Sequence, residues 1–284
     1  MANALSPSAL PLSPPASAAP RMAAGSIAAL LLAGGCLNGL AFRVIAAWKT
    51  DGAEAALGLF GISPIEILVV AIAGRLMLGG GDRLSPVTTR AAALLFALPV
   101  MWPSSSAAWV SVGLYAVFIA ATSSGRARSA ALLFAGLAVH SLWASLGEPI
   151  AGKIILPLDA AAVGGLLSLA RAGVVQLGNV VGDVDGHRIV VLVGCSSVHA
   201  LPLALLGWAA LGLEGHAALP AGAWREAALL TAFLVALNLA RLVIMAWSAE
   251  AYALAHGPWG GLAYDTVSTL AILAAAALTR YRHA

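Results

Sequence analysis

The chain has 284 residues, 61% of them hydrophobic and only 10% charged, with a formal net charge of +3. A soluble domain carries about a quarter of its residues as charges, so this composition excludes an ordinary soluble enzyme. The small positive charge does not indicate nucleic acid as a partner, because Lys and Arg in so apolar a chain report membrane topology first.

Residues 1–22 are mostly Ala, Ser, Pro and Leu, with no charge before Arg21, and read as a flexible cytoplasmic tail. Arg21 and the apolar residues up to Gly35-Cys36 imitate a secretory or lipoprotein signal. A cleaved signal precedes a polar mature chain, whereas residues 37–48 stay apolar apart from Asn38 and Arg43. An uncleaved first span is therefore expected.

Long apolar runs then recur to residue 279, and a span needs about 20 mostly apolar residues. The expected fold is an all-α polytopic membrane protein, a single domain over 23–279. It has about eight transmembrane helices, near 24–48, 57–78, 87–102, 107–122, 130–146, 196–213, 227–247 and 259–278. Residues 280–284 read as a second cytoplasmic tail. With the N-terminus inside, one side receives Arg21, Arg75, Arg83, Arg90, Arg126, Arg128, Arg225, Arg280 and Arg282. The other receives Lys49, Lys153, Arg171 and Arg188, mostly among acidic residues. The positive-inside rule selects N-in and C-in.

Residues 154–169 are apolar but interrupted by Pro157, Asp159 and Gly164-Gly165. Counting them as a further span would put Arg225, Arg280 and Arg282 outside, so they are expected to form a short extracytoplasmic interfacial helix or a re-entrant one. Two β-rich pieces, 174–181 and 189–193, flank an Asp-Gly turn and suggest a β-hairpin-like segment before the sixth span. Residues 146–195 are then the largest extracytoplasmic segment.

The two cysteines, Cys36 and Cys195, make no disulfide framework, and no four-ligand zinc spacing is present. Asp183 and Asp185 would hold a cation only weakly and read as a solvated turn. The residues suited to chemistry gather at the outer side of the last three spans. Cys195 opens the sixth, where unpaired helix N–H groups and the positive dipole end would favour thiolate. Arg241 sits six residues before Trp247, about 9 Å below the boundary at ~1.5 Å per residue. A guanidinium there costs roughly 2.5–3.5 kcal/mol on insertion scales and normally faces a partner or a polar cavity. Asp265 is the available carboxylate. His256 opens the eighth span, and His199, one turn after Cys195, is a second candidate base. Taken singly, Cys195 reads as a packing residue, His256 as a polar residue beside a helix start, and Arg241 as an ion-pair partner of Asp265. Their convergence on one face favours a thiol, a cation and an imidazole acting together. His140, His187, His216 and His283 have no comparable setting.

The motif Cys195-Ser196, then Asn238-x-x-Arg241 in the next span, then His256 with Gly260 shortly after, resembles the exosortase/archaeosortase family. The resemblance covers about 159–278. The family pattern after the cysteine is usually Ser-Gly-x-Arg, where this chain has Ser196-Ser197-Val198-His199. The resemblance implies a multi-pass cysteine peptidase and transpeptidase of the bacterial inner membrane, with its site on the extracytoplasmic face. Its partners would be the bilayer and a membrane-anchored protein bearing a C-terminal sorting signal, with no cofactor, metal or nucleic acid. Cys195 would be the nucleophile, His256 the acid and base, and Arg241 the oxyanion stabiliser, with Asn238, His199 and Asp265 in support. Substrate, acceptor and oligomeric state stay open. The rival is a non-enzymatic protein, a small transporter or an envelope or polysaccharide assembly subunit, with Arg241 and Asp265 lining a polar path. The paired repeats and broken helices common in transporters are not evident.

Overall fold

A computed structural model of the chain describes residues 24–79, 91–97, 102–143, 148–214 and 216–283. The expected tail over 1–22, half of the expected third span, and Arg21, Arg83 and Arg90 lie outside these residues. The described chain is helical apart from one small sheet. In order, the helices are α1 (Ala24–Asp51), α2 (Pro64–Gly79), α3 (91–97), α4 (Ser105–Thr122), α5 (Gly125–Leu142) and α6 (Glu148–Ser168). After the sheet come α7 (Leu201–Leu213), α8 (Trp224–Trp247), α9 (Ala249–His256) and α10 (Pro258–His283). Four stretches among the described residues are long and apolar enough to cross a membrane: Ala24–Ala56, Ser105–Thr122, Trp224–Trp247 and Pro258–Arg282. Their outward faces carry exposed leucines such as Leu30, Leu114, Leu229 and Leu262. Such faces suit hydrocarbon rather than water.

Several boundaries differ from the sequence reading. The second helix begins at Pro64 rather than near Leu57, because a 3₁₀ segment (Gly52–Gly61) ends in three residues at positive φ, Leu59, Phe60 and Gly61. Ser63 and Glu66 then form a capping box. The Ser63 hydroxyl accepts from the Ile65 N–H at 3.2 Å, and the Glu66 carboxylate accepts from the Ser63 N–H at 2.9 Å. The last helix continues past the expected end of the eighth span, through Arg280 and Arg282 to His283.

The interrupted stretch around 154–169 is one 21-residue helix, α6. Pro157 and the paired glycines do not break it. A proline costs one helical hydrogen bond, and Gly164 sits where α6 meets the sheet. A Cβ on Gly164 would lie 3.4 Å from Gln176 and 3.5 Å from Val181, ordinary packing distances.

The sheet has three antiparallel strands in the order β1-β2-β3: β1 (Val174–Leu177), β2 (Val180–Asp183) and β3 (Arg188–Val190). The stretch 174–181, expected as one strand, is therefore cut by a two-residue turn at Gly178-Asn179, with Gly178 at φ +59. A glycine in that turn position adopts positive φ without strain. Val181 pairs with Ile189, and these two, with Val191, bury one face of the sheet against α6 and α8. Gly182 admits no other residue, since a Cβ there would sit 2.3 Å from the His187 carbonyl oxygen.

The helices pack through small residues, as membrane helices do when backbones approach closely. Gly39 of α1 accommodates Trp109 of α4, whose ring would lie 2.6 Å from a Cβ, and Gly207 of α7 likewise accommodates Ile65. Polar contacts tie matching helix ends together. At one end Arg75 pairs with Glu214, Arg282 with Glu226, and Ser129 donates to the Ala217 carbonyl. At the other, Arg43 pairs with the buried Glu66 at 2.8 Å and donates to Ser141 at 3.3 Å, and the sheet lies beside the end of α8.

Candidate functional site

The chain leaves β3 through Val191 and Leu192 into a single 3₁₀ turn, Val193–Cys195. The Cys195 N–H donates to the Leu192 carbonyl at 2.9 Å, and Ser196 is extended, at φ −69 and ψ 144. Helix α7 starts only at Leu201, with a proline in its first turn. Cys195 is therefore not at a helix N-terminus, contrary to the sequence reading. The extended Ser196 and the fixed φ of Pro202 set the helix start six residues later, and the dipole argument for a thiolate does not hold here.

What holds Cys195 is side-chain hydrogen bonding from two helices. Asn238, on α8 and 3% exposed, donates its Nδ2 to the Cys195 carbonyl at 2.9 Å and to Ser197 Oγ at 3.2 Å. Asp159, on α6 and 8% exposed, accepts the Ser197 N–H at 2.9 Å. The loop closes on itself as Ser196 Oγ accepts from the Val198 N–H and the Ser196 carbonyl accepts from the His199 N–H. The Cys195 side chain is half-buried against an apolar cluster that includes Ala160, Val181, Leu242 and Ala255.

Arg241 is one turn beyond Asn238 on α8. Its Nε donates to the Ala255 carbonyl at 3.2 Å, and its guanidinium lies 4.9 Å from the centre of the Tyr264 ring. A cation over an aromatic face is attracted by the ring quadrupole. Asp265 is exposed and forms no ion pair with Arg241 among the described contacts, so the pairing weighed from sequence is replaced by Tyr264, the preceding residue.

His256 follows Ala255 at the end of α9, a helix capped by Ser248, whose hydroxyl accepts from the Ala251 N–H. In the same first turn, Glu250 is held below the ordinary carboxylate range by its own backbone N–H and by Ser248. The exposed imidazole of His256 stacks on Tyr252, with ring centres 5.0 Å apart and planes 11° apart. Tyr252 meets His187 edge-on at 5.9 Å, and His187 Nε2 is 3.0 Å from the Met245 carbonyl. His187, set aside in the sequence, thus belongs to the same face as His256.

The end of α8 contacts both the Cys195 loop and the end of α9. Asn238 holds the Cys195 loop, and one turn on Arg241 holds the residue before His256. Among the described contacts the thiol, guanidinium and imidazole do not hydrogen-bond to one another. His199 lies in the loop and faces a groove beside α6. Sequence reasoning missed Asp159, Tyr252, Tyr264 and His187 as members. Asp159 has a readable signal in the sequence, a lone carboxylate inside an apolar run.

Asp183, weighed as a weak cation ligand, pairs with Arg171. Among the described residues no cluster of His, Cys, Asp and Glu is suited to a metal ion. No family model, no curated protein and no solved structure matches this chain.

Proposed function

We propose that the protein is a membrane-embedded cysteine peptidase or transpeptidase that acts on exported, membrane-anchored proteins. The observation that carries this reading is the pair of contacts at the end of α8: Asn238 to the Cys195 carbonyl and Arg241 to the Ala255 carbonyl. They assemble a thiol, a cation and an imidazole from segments 43 and 14 residues away along the chain. The order of these residues, resembling the exosortase/archaeosortase pattern, supports the same reading.

The layout is eight crossings with both termini cytoplasmic. It is supported by the way charges sort between the two ends of the bundle. Arg75, Arg126, Arg128, Arg225, Arg280 and Arg282 lie towards one end. Lys49, Lys153, Arg171 and Arg188 lie towards the other, among Asp51, Glu54, Asp183, Asp185 and Glu250. The positive-inside rule makes the first end cytoplasmic and the site extracytoplasmic.

In the reaction, the Cys195 thiol gives its proton to His256 as its sulfur attacks the scissile carbonyl carbon, and Arg241 stabilises the negative oxygen of the tetrahedral adduct. Collapse breaks the C–N bond, His256 delivers a proton to the departing amine, and a thioester is left on Cys195. An incoming amine or water gives a proton to His256, attacks the thioester and releases the sulfur. A substrate held by its own membrane helix reaches the site by diffusion in the plane of the bilayer, which raises its effective concentration.

A membrane-impermeant maleimide applied to intact cells tests the setting of the thiol. Cys195 should be labelled from outside and Cys36, 0% exposed within the α1 core, should not. Labelling of Cys195 only after the cytoplasmic face is opened would overturn the reading.

The non-enzymatic alternative draws on one observation, the Arg43–Glu66 ion pair inside the first half of the bundle. Ionisable residues within a membrane domain are functional candidates by default. Here, however, the Glu66 carboxylate also closes the capping box at the start of α2, which gives the pair a structural role.

A further inference from the structure

An imidazole that takes a proton from a thiol and later gives one up must keep its nitrogens available while its ring holds one orientation. In the Ser-His-Asp arrangement a carboxylate does the holding, through Nδ1. His256 is held by its face instead. Tyr252 lies one turn earlier on α9, so the two side chains share a side of the helix. Their rings stack with centres 5.0 Å apart and planes 11° apart. Among the described contacts no carboxylate or carbonyl bonds the His256 nitrogens.

The stack is braced from three directions. Ser248 caps α9 by accepting the Ala251 N–H at 3.1 Å. The corner after His256 is tight, since a Cβ on Gly257 would lie 2.5 Å from the Ala253 carbonyl oxygen and one on Gly260 would press on the Ala255 carbonyl. From the turn before β3, His187 meets the Tyr252 ring edge-on, with centres 5.9 Å apart. His187 Nε2 is 3.0 Å from the Met245 carbonyl oxygen, which only accepts, so Nε2 carries a proton and donates it. His187 thereby ties the Tyr252 ring to α8, the helix of Arg241. The charged groups nearby are engaged elsewhere or lie off the rings. Arg241 bonds the Ala255 carbonyl and rests on Tyr264, Asp183 pairs with Arg171, and Glu250 is held by Ser248 and its own N–H.

From this geometry we infer that Tyr252 and His187 are positioning residues that orient the His256 imidazole by its face and leave its nitrogens free for proton transfer. This rests on the cysteine-peptidase reading and supplies the group that orients its base. A stacked ring cannot turn about its Cβ–Cγ bond without losing the contact, so the edge carrying the nitrogens keeps one direction.

The test uses the full chain in native membranes, iodoacetamide as the probe, and peptide mass spectrometry to time alkylation of Cys195. A thiol ionises unaided at about pH 10, whereas at about pH 7 it needs a base. The ratio of the rate at the lower pH to that at the higher therefore reads proton transfer to His256, and a loss that only changes access to the thiol cancels. His256→Ala sets the floor. Tyr252→Leu should lower the ratio towards that floor, by at least about tenfold. Tyr252→Phe keeps the ring and should restore the ratio of the unaltered protein. His187→Gln keeps a donor for the Met245 carbonyl but loses the ring, and its ratio should fall between the two. An unchanged ratio in Tyr252→Leu would overturn the inference, as would a ratio in Tyr252→Phe as low as in Tyr252→Leu. An unchanged ratio in His187→Gln would overturn it for His187. Failure of the peptidase reading looks different: His256→Ala would itself leave the ratio unchanged, whereas failure of the positioning role leaves His256 required and Tyr252→Leu without effect.

Discussion

Asn238 Nδ2 donates to the carbonyl oxygen of Cys195 at 2.9 Å, so the position of the thiol is set by a side chain one turn away from Arg241. The same amide nitrogen donates to Ser197 Oγ. One residue therefore anchors the loop that carries Cys195 to the helix that carries Arg241.

Asn238→Asp removes the donor and sets a carboxylate oxygen against the Cys195 carbonyl. An unmade hydrogen bond at a buried group costs about 1–3 kcal/mol, and misplacing a nucleophile by about 1 Å costs on the order of a hundredfold in rate. Substrate processing should fall by at least about tenfold while the protein still inserts and stays folded. Wild-type processing in this variant would show that the loop is held by other contacts.

Asp159 accepts the Ser197 N–H from the other side of the loop. Asp159→Asn keeps an acceptor oxygen and should retain most activity. Asp159→Ala leaves the buried N–H without a partner and should lower stability by about 1–3 kcal/mol. Thermal unfolding in detergent and a processing assay on both variants separate the two roles. Equal loss in both variants would mean that the negative charge, not the acceptor, matters.

For Arg241, Lys retains the charge but loses the planar fork that rests on Tyr264 and reaches the Ala255 carbonyl. Arg241→Lys should leave a folded protein with most activity gone, and Asp265→Asn should be nearly silent, because Asp265 is exposed and unpaired with Arg241. Restoration of activity in the double variant Arg241→Leu with Asp265→Leu would identify Arg241 as a structural partner of Asp265.

Gly39 and Gly34 lie on the same helix with opposite steric surroundings. A Cβ on Gly39 would press into Trp109 at 2.6 Å, and one on Gly34 would meet nothing within 4 Å. Gly39→Ala should destabilise the protein by about 1–3 kcal/mol through overpacking, while Gly34→Ala should be neutral or slightly stabilising. Thermal melts in detergent distinguish them, and equal melting temperatures would contradict the α1–α4 packing.

The apolar helices were readable because their runs are long: α8 was expected over 227–247 and spans Trp224–Trp247. Boundaries set by local hydrogen bonding were harder. The start of α2 depends on the Ser63–Glu66 capping box, which the apolar run at 57–61 obscured. The break inside 174–181 had a signal in Gly178-Asn179, a turn dipeptide. For α6, the helix expected near 154–169 is present but begins earlier, at Glu148, and packing against the sheet and α8 holds it together across Pro157. At the site, the order Cys195, Asn238, Arg241, His256 was legible. The contacts among them were not, since Asp159 and Ser197 meet across 38 residues and no local pattern encodes that distance. The placement of Cys195 at a helix start failed because Ser196 is extended and α7 waits for Leu201.

The most direct test of the central claim is to search for a protein joined to Cys195 through a thioester. Cells carrying the unaltered chain are quenched with acid during growth, and the chain is recovered under acidic denaturing conditions that preserve thioesters. The account predicts a mass adduct on the peptide containing Cys195, corresponding to the processed end of an exported protein, discharged by neutral hydroxylamine and absent in Cys195→Ala. Unmodified Cys195 in every preparation, together with unchanged processing of exported proteins in Cys195→Ala cells, would contradict it.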